Sequence, residues 1–97
     1  MKQIILDGNI LADAAKVHDY LMKMLDFPEY YGKNLDALHD CLTDLDSLEI
    51  TITSPDEDGA IFQKVLRVFK AADRVNENIK LNIITWIISS TIFIIFL

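Results

Sequence analysis

The chain has 97 residues, a length that supports one domain with a modest core and excludes a deep active site between lobes. Fifteen acidic residues against nine basic ones give a net charge of −6, so the surface repels nucleic acid and attracts a basic partner. Cys41, the single cysteine, cannot form an internal disulfide, and the amino-terminal residues lack the pattern of a secretory signal. Both observations predict a protein of the reducing cytoplasm.

The first half of the chain predicts a strand followed by two helices. An apolar run over residues 3–6 indicates a buried strand that stops at a turn beginning at Gly8. Asp13 is placed to cap a helix over residues 14–25, in which apolar residues recur at intervals of three and four. A second helix follows, capped by Asn34. Its apolar face consists of Leu35, Leu38, Leu42 and Leu45.

The second half of the chain predicts a strand, a helix and another strand. Apolar and polar residues alternate from Leu48 to Thr53, which is the pattern of a strand with one buried face. Apolar residues from Ile61 to Phe69 indicate a third helix, and the run from Ile79 to Ile84 predicts the third strand. This order of elements favours an α/β fold in which helices flank a small three-stranded parallel sheet.

The carboxyl-terminal segment departs from this pattern. Residues 81–97 carry no charge and include nine isoleucines or phenylalanines. As a helix this segment would reach roughly 25 Å, slightly less than the bilayer core of about 30 Å. Three interpretations stay open: a strand that packs on the domain or on a twin chain, a membrane tail, and an extension without function. We therefore divide the chain into a domain over residues 1–84 and an apolar extension over residues 85–97.

The sequence gives little support to catalysis. It contains no glycine-rich phosphate loop, no Cys-x-x-Cys pair and no nucleophile-elbow pattern, so we predict neither an enzyme nor a cofactor. Asp36, His39 and Asp40 have spacing that could bring three metal ligands together. That spacing is common on any polar helix face, and we predict a solvated or partner-contacting surface and no metal. Cys41 lies among acids that raise a thiol pKa, which disfavours a nucleophile.

Acidic residues line one side of the second predicted helix. Asp36, Asp40 and Asp44 recur every four residues and repel one another at a cost of a few tenths of a kcal/mol per pair. Two adjacent tyrosines precede the helix, and we expect one of them to fill the core while the other is exposed. Gly32 is expected to let the intervening loop turn sharply. An acidic ridge beside an exposed aromatic side chain predicts a surface that a partner protein recognises.

Residues 28–43 carry a specific pattern, Pro-Glu-Tyr-Tyr-Gly-x-Asn-Leu-Asp-Ala-Leu-x-Asp-Cys-Leu-Thr. This pattern resembles the signature of the barstar family of intracellular ribonuclease inhibitors, and the order of elements agrees over about residues 1–84. The resemblance implies a barstar-like fold and a cytoplasmic, immunity-type inhibitor. Such a protein blocks the active site of a basic ribonuclease and does not bind nucleic acid directly.

The resemblance also assigns roles to residues of the acidic helix and its loop. Asp40 is expected to take the place of a substrate phosphate. His39 stands where the family has a tryptophan, Asp44-Leu45 where it has Gly-Trp, and Ala71 where it has an acidic residue. These departures imply a different target, which is another basic ribonuclease or some other basic nuclease or toxin. The alternative is a barstar-like module that has lost inhibition and acts through self-association or membrane tethering by residues 85–97. The predicted partner-binding residues are Tyr30, Gly32, Asn34, Asp36, His39, Asp40 and Asp44.

Overall fold

The computed structural model describes residues 2–86 and 92–96, and from residue 85 onward it describes the backbone alone. These residues form four helices and four strands. In chain order they are β1 (Lys2–Leu6), α1 (Gly8–Leu11), α2 (Val17–Met24), α3 (Leu35–Thr43), β2 (Leu48–Thr53), α4 (Ala60–Val75), β3 (Ile79–Trp86) and β4 (Ile92–Phe96).

The strands form one sheet in the order β1-β2-β3-β4. β1, β2 and β3 are parallel, with Ile4 opposite Ile50 and Ile50 opposite Leu81. The predicted α/β fold with a three-stranded parallel sheet is therefore confirmed. β4 adds an antiparallel fourth strand along β3, which the sequence had left as one of several interpretations.

The apolar extension is only partly covered by the described residues. β4 lies within it, whereas residues 87–91 and 97 lie outside the described residues. Within the described ranges, none of the helices combines the length and apolar character needed to cross a bilayer. The division at residue 84 and the self-association or tethering role of the extension stay predictions.

The core lies between the sheet and the helices. Along β2, Leu48, Ile50 and Ile52 are buried and the intervening residues are less so, as a strand with one covered face requires. Helices α3 and α4 contribute the other side of the core, and both pack their apolar faces inward. The fully buried Leu42 of α3 and Phe69 of α4 illustrate this arrangement.

Two predicted element boundaries near the amino terminus are wrong. The Asp7 carboxylate accepts a hydrogen bond from the Asn9 N–H at 2.9 Å and caps α1, where the sequence predicted only a turn. The Asp13 carboxylate accepts from the Ala15 N–H at 2.9 Å. This local bond holds residues 14–16 in turns, so α2 begins at Val17 rather than at residue 14.

Gly8 is required because backbone from another strand approaches it closely. Its N–H donates to the Thr53 hydroxyl at 3.0 Å, and a Cβ atom placed on Gly8 would lie 1.9 Å from the Thr53 carbonyl oxygen. A contact that short against backbone cannot be relieved by a side-chain rotation. Only glycine lets the β1–α1 junction meet the end of β2.

We expect the substitution Gly8→Ala to lower the free energy of unfolding by about 3 kcal/mol, because the added methyl group forces the backbone apart. Gly59→Ala is the matched control, since a Cβ atom there meets nothing within 4 Å. That control should stay within about 1 kcal/mol of the parent chain, because alanine is a poorer N-cap than glycine but restricts the unfolded chain. Urea unfolding measures both, and equal effects would contradict the steric explanation.

Candidate partner-binding surface

The loop before α3 presents one tyrosine and buries the other. Tyr31 is 5% exposed and packs on Phe27, with 5.0 Å between the ring centroids. Its hydroxyl forms a 2.6 Å hydrogen bond with Nδ1 of His18 on α2. Tyr30 is 88% exposed. The prediction that one tyrosine fills the core and the other faces solvent is confirmed, and burial of Tyr31 fixes the place from which Tyr30 projects.

An ion pair holds the same loop to α2 at a second point. Lys33 adopts a left-handed backbone conformation with φ 53°, and its Nζ lies 2.7 Å from the Asp19 carboxylate. The expectation that Gly32 makes the sharp turn is therefore wrong, since Lys33 takes the left-handed conformation. Gly32 instead lies close to α3, where a Cβ atom would come within 3.2 Å of the Ala37 Cβ.

Helix α3 begins and packs as predicted. The Asn34 side chain accepts a hydrogen bond from the Ala37 N–H at 2.8 Å and caps the helix. Leu38 and Leu42 are fully buried, while Leu35 and Leu45 are partly buried against the same core. This leucine face fixes the rotation of the helix about its axis and thereby decides which residues face solvent.

The three aspartates of this segment all lie on the exposed side. Asp36 is in the first turn, where an anion is favourable, and Asp44 is the C-cap, where it is not. The Asp40 side chain is 85% exposed. His39 is less exposed, and its Nδ1 lies 4.0 Å from the Asp40 carboxylate. Among the described residues no lysine or arginine forms an ion pair with Asp40 or Asp44.

A depression of about 270 Å³ separates the end of α2 from the end of α3. Three of the predicted residues, Tyr30, Asp40 and Asp44, line it. Asp36, His39, Asn34 and Gly32 do not, although they belong to the same helix and loop. We name this feature the acidic depression, and its lining consists of Asp26, Phe27, Pro28, Tyr30, Asp40, Cys41, Asp44 and Leu45.

Sequence reasoning did not predict five of the lining residues as partner-binding: Asp26, Phe27, Pro28, Cys41 and Leu45. Phe27 and Leu45 look like ordinary core residues, and both are indeed packed against the core. Asp26 follows α2 and has φ 54°, a conformation that aspartate tolerates better than most residues. The sequence feature that could have pointed to Asp26 is its position directly before the aromatic loop. The depression became visible only when two segments distant in sequence were brought together.

The lining of the acidic depression combines uncharged side chains with the carboxylates of Asp26, Asp40 and Asp44. Burial, reinforced by the charges of Asp44 and Asp40, raises the pKa of the Cys41 thiol and keeps it protonated near neutral pH. The predicted rise of this pKa is confirmed. In the described part of the chain, no group of three or more histidine, cysteine or acidic side chains is arranged to hold a metal ion. The arrangement is suited to attracting a cationic group.

We expect the stability of the protein to fall as the pH is lowered from 7.5 to 5.5, through His18. Burial, aided by Lys33 and opposed by Asp19, lowers the pKa of His18 below its ordinary value of 6.5. As the pH falls through 6.5, His18 binds a proton in the unfolded chain more readily than in the folded chain, so protonation favours unfolding. The His18→Gln variant should show a smaller loss in urea unfolding across this range. An identical loss in parent and variant would contradict the assignment.

Comparison with known proteins shows similarity to a protein family and to a curated relative. The family model described as Barstar (barnase inhibitor) matches residues 1–85. A Bacillus subtilis (strain 168) protein named "Putative ribonuclease inhibitor YrdF" is 50% identical over 52 residues. That alignment covers 54% of this chain and 57% of the relative, so the match spans little more than half of each protein.

Proposed function

The chain belongs to the barstar family, and on this basis we propose that it is an inhibitor that blocks the active site of a basic ribonuclease. Membership also confirms the prediction that the chain is not an enzyme. The proposal extends to the binding surface, which we assign to α3 and the loop before it, and to a cytoplasmic place of action. The relative named as a ribonuclease inhibitor supports the same function.

The acidic depression is the observation that carries this proposal. A ribonuclease site binds the phosphates of RNA with arginine, lysine and histidine side chains, and a carboxylate can pair with those groups without being cleaved. Asp40 is exposed and held by a rigid helix, and no lysine or arginine within the described residues is paired with it. Asp40 therefore acts as the phosphate mimic.

The other walls of the depression suit the rest of a basic side chain. Phe27, Pro28 and Leu45 offer apolar surface to its aliphatic part, and Tyr30 adds a rigid aromatic side. Asp44 contributes a second carboxylate at the carboxyl end of α3. The surface thus accommodates an arginine or lysine of the target, with its charge between Asp40 and Asp44.

The remaining predicted residues surround this centre. Asp36 extends the negative surface by one turn, Asn34 and Gly32 shape the loop, and His39 lies beside Asp40. His39 and Asp44 are the two predicted binding residues at which the chain departs from the family pattern. The target is accordingly a basic ribonuclease whose contacts at these two positions differ from those of barnase. With a net charge of −6, the chain itself does not bind RNA.

We expect the chain to slow RNA cleavage by barnase or by another basic ribonuclease. The substitution Asp40→Ala should weaken that inhibition by about 30-fold, which corresponds to a loss of about 2 kcal/mol of binding free energy at an interface hot spot. Glu57→Ala is the control, because it removes the same charge from an exposed residue of the loop before α4. Inhibition constants and dissociation rates at low and high salt measure the effect.

The proposal is contradicted by either of two results. One is the absence of inhibition against barnase and against the basic ribonucleases that cation-exchange chromatography isolates from Bacillus subtilis culture medium. The other is an equal loss of inhibition in Asp40→Ala and Glu57→Ala, because the contact would then be a nonspecific charge attraction.

Asp44→Asn should raise the stability of the protein and weaken its binding. Removing an anion from the carboxyl end of α3 relieves its unfavourable interaction with the helix dipole and should add about 0.5 kcal/mol to the free energy of unfolding. The same change removes one carboxylate from the acidic depression. The melting temperature should therefore rise while inhibition weakens, which means that the inhibition constant also rises. A variant that is more stable and equally inhibitory would exclude Asp44 from the contact.

A further inference from the structure

A buried asparagine binds the carboxyl-terminal end of α3 from outside the helix. Asn76 follows α4 and is 6% exposed. Its Nδ2 donates to the Leu42 carbonyl oxygen at 2.9 Å and to the Leu45 carbonyl oxygen at 3.0 Å. One side-chain amide therefore holds two backbone groups at the end of the helix that carries Asp40 and Asp44.

The end of α3 needs such a donor. The last carbonyl groups of a helix lack partners within it, and a lysine or arginine commonly stabilises them. The last turn of α3 contains no basic residue, and its C-cap, Asp44, is acidic. The Asn76 amide supplies hydrogen bonds there without bringing a positive charge, so the negative surface next to it is preserved.

Further hydrogen bonds fix the side chain and the backbone of Asn76. Its Oδ1 accepts from the Asn78 N–H at 3.0 Å, and its own N–H donates to the Ala72 carbonyl oxygen at 2.9 Å. The Asn78 carbonyl oxygen in turn accepts from the Leu48 N–H at 3.0 Å, at the start of β2. The end of α3 is thus connected through Asn76 to α4 and to the sheet.

We propose that Asn76 is a positioning residue for target binding: it fixes the carboxyl-terminal end of α3 so that Asp40 and Asp44 keep their relative places on the acidic depression. It is buried and acts only through the backbone of α3. The consequence for binding rests on the proposed inhibition of a ribonuclease. The effect on the end of the helix belongs to the free protein and is measured without a partner.

The test compares Asn76→Asp with Asn78→Asp. Both changes add one negative charge to the same loop, but only the first replaces the two donated hydrogen bonds with a carboxylate facing two carbonyl oxygens. Asn76→Ala is the second variant, since it removes the donors without adding charge and is less disruptive. Amide hydrogen exchange in the free protein and the dissociation rate from barnase are measured under conditions in which circular dichroism shows each variant to be folded.

We expect the amides of Asp44 and Leu45, which donate to Cys41 and Leu42, to exchange roughly tenfold faster in both Asn76 variants. The Leu25 amide at the end of α2 should not change, which separates a local effect from general destabilisation. Dissociation from barnase should accelerate by a similar factor in the Asn76 variants. Asn78→Asp should resemble the parent chain in both measurements.

Unchanged exchange at Asp44 and Leu45 would overturn the inference. So would faster exchange there combined with an unchanged dissociation rate, because Asn76 would then be an ordinary structural cap. Failure of the parent chain to bind barnase would count against inhibition of that enzyme, whereas the exchange measurement would still decide whether Asn76 holds the end of α3. The two proposals therefore fail in distinguishable ways.

Discussion

Burial of the leucine face of α3 is the constraint on which the rest of the structure depends. Leu38 and Leu42 are fully buried, so the helix cannot rotate without exposing them, and burying one leucine contributes roughly 1.5–3 kcal/mol. Every aspartate of the segment is consequently turned to solvent. Asn34 fixes one end of the helix and Asn76 the other, and neither neutralises an acid. A rigid negative surface results from apolar packing and neutral caps alone.

This surface opposes the stability of the helix that carries it. Asp40 and Asp44 repel each other at i, i+4, and Asp44 also opposes the helix dipole, each at a cost of some tenths of a kcal/mol. Lysines on the same face would have removed both costs. This cost is small beside the gain from the leucine face, so the fold tolerates a charge arrangement that lowers stability and that suits the proposed recognition of a basic target. Fixing the carboxylates in advance also reduces the entropy lost on binding.

Much of the fold could be predicted because its determinants are local. The alternation along β2 and the leucine spacing of α3 identified those elements, and Asn34 was correctly expected to cap the helix. Predictions failed where local hydrogen bonds competed, as at Asp13, which delays the start of α2. The left-handed conformation of Lys33 was missed for a different reason, because its ion pair with Asp19 joins residues from separate elements.

The candidate site was predictable only in part. Asp40 and Asp44 follow from helical spacing, but their neighbour across the depression, Asp26, comes from the end of another helix, and no local pattern joins the two segments. The hydrogen bond of Tyr31 to His18 likewise depends on how α2 packs. Sequence periodicity describes one element at a time, whereas a depression belongs to the space between elements.

The separation of Asp44 from the buried face of α3 bears on how such a protein diversifies. Substitution at this position changes the charge presented to a target and leaves the contacts of Leu38 and Leu42 untouched. Such a protein can therefore adapt to a changed target by substitutions at exposed positions of a single helix, while the buried residues that determine its fold stay the same.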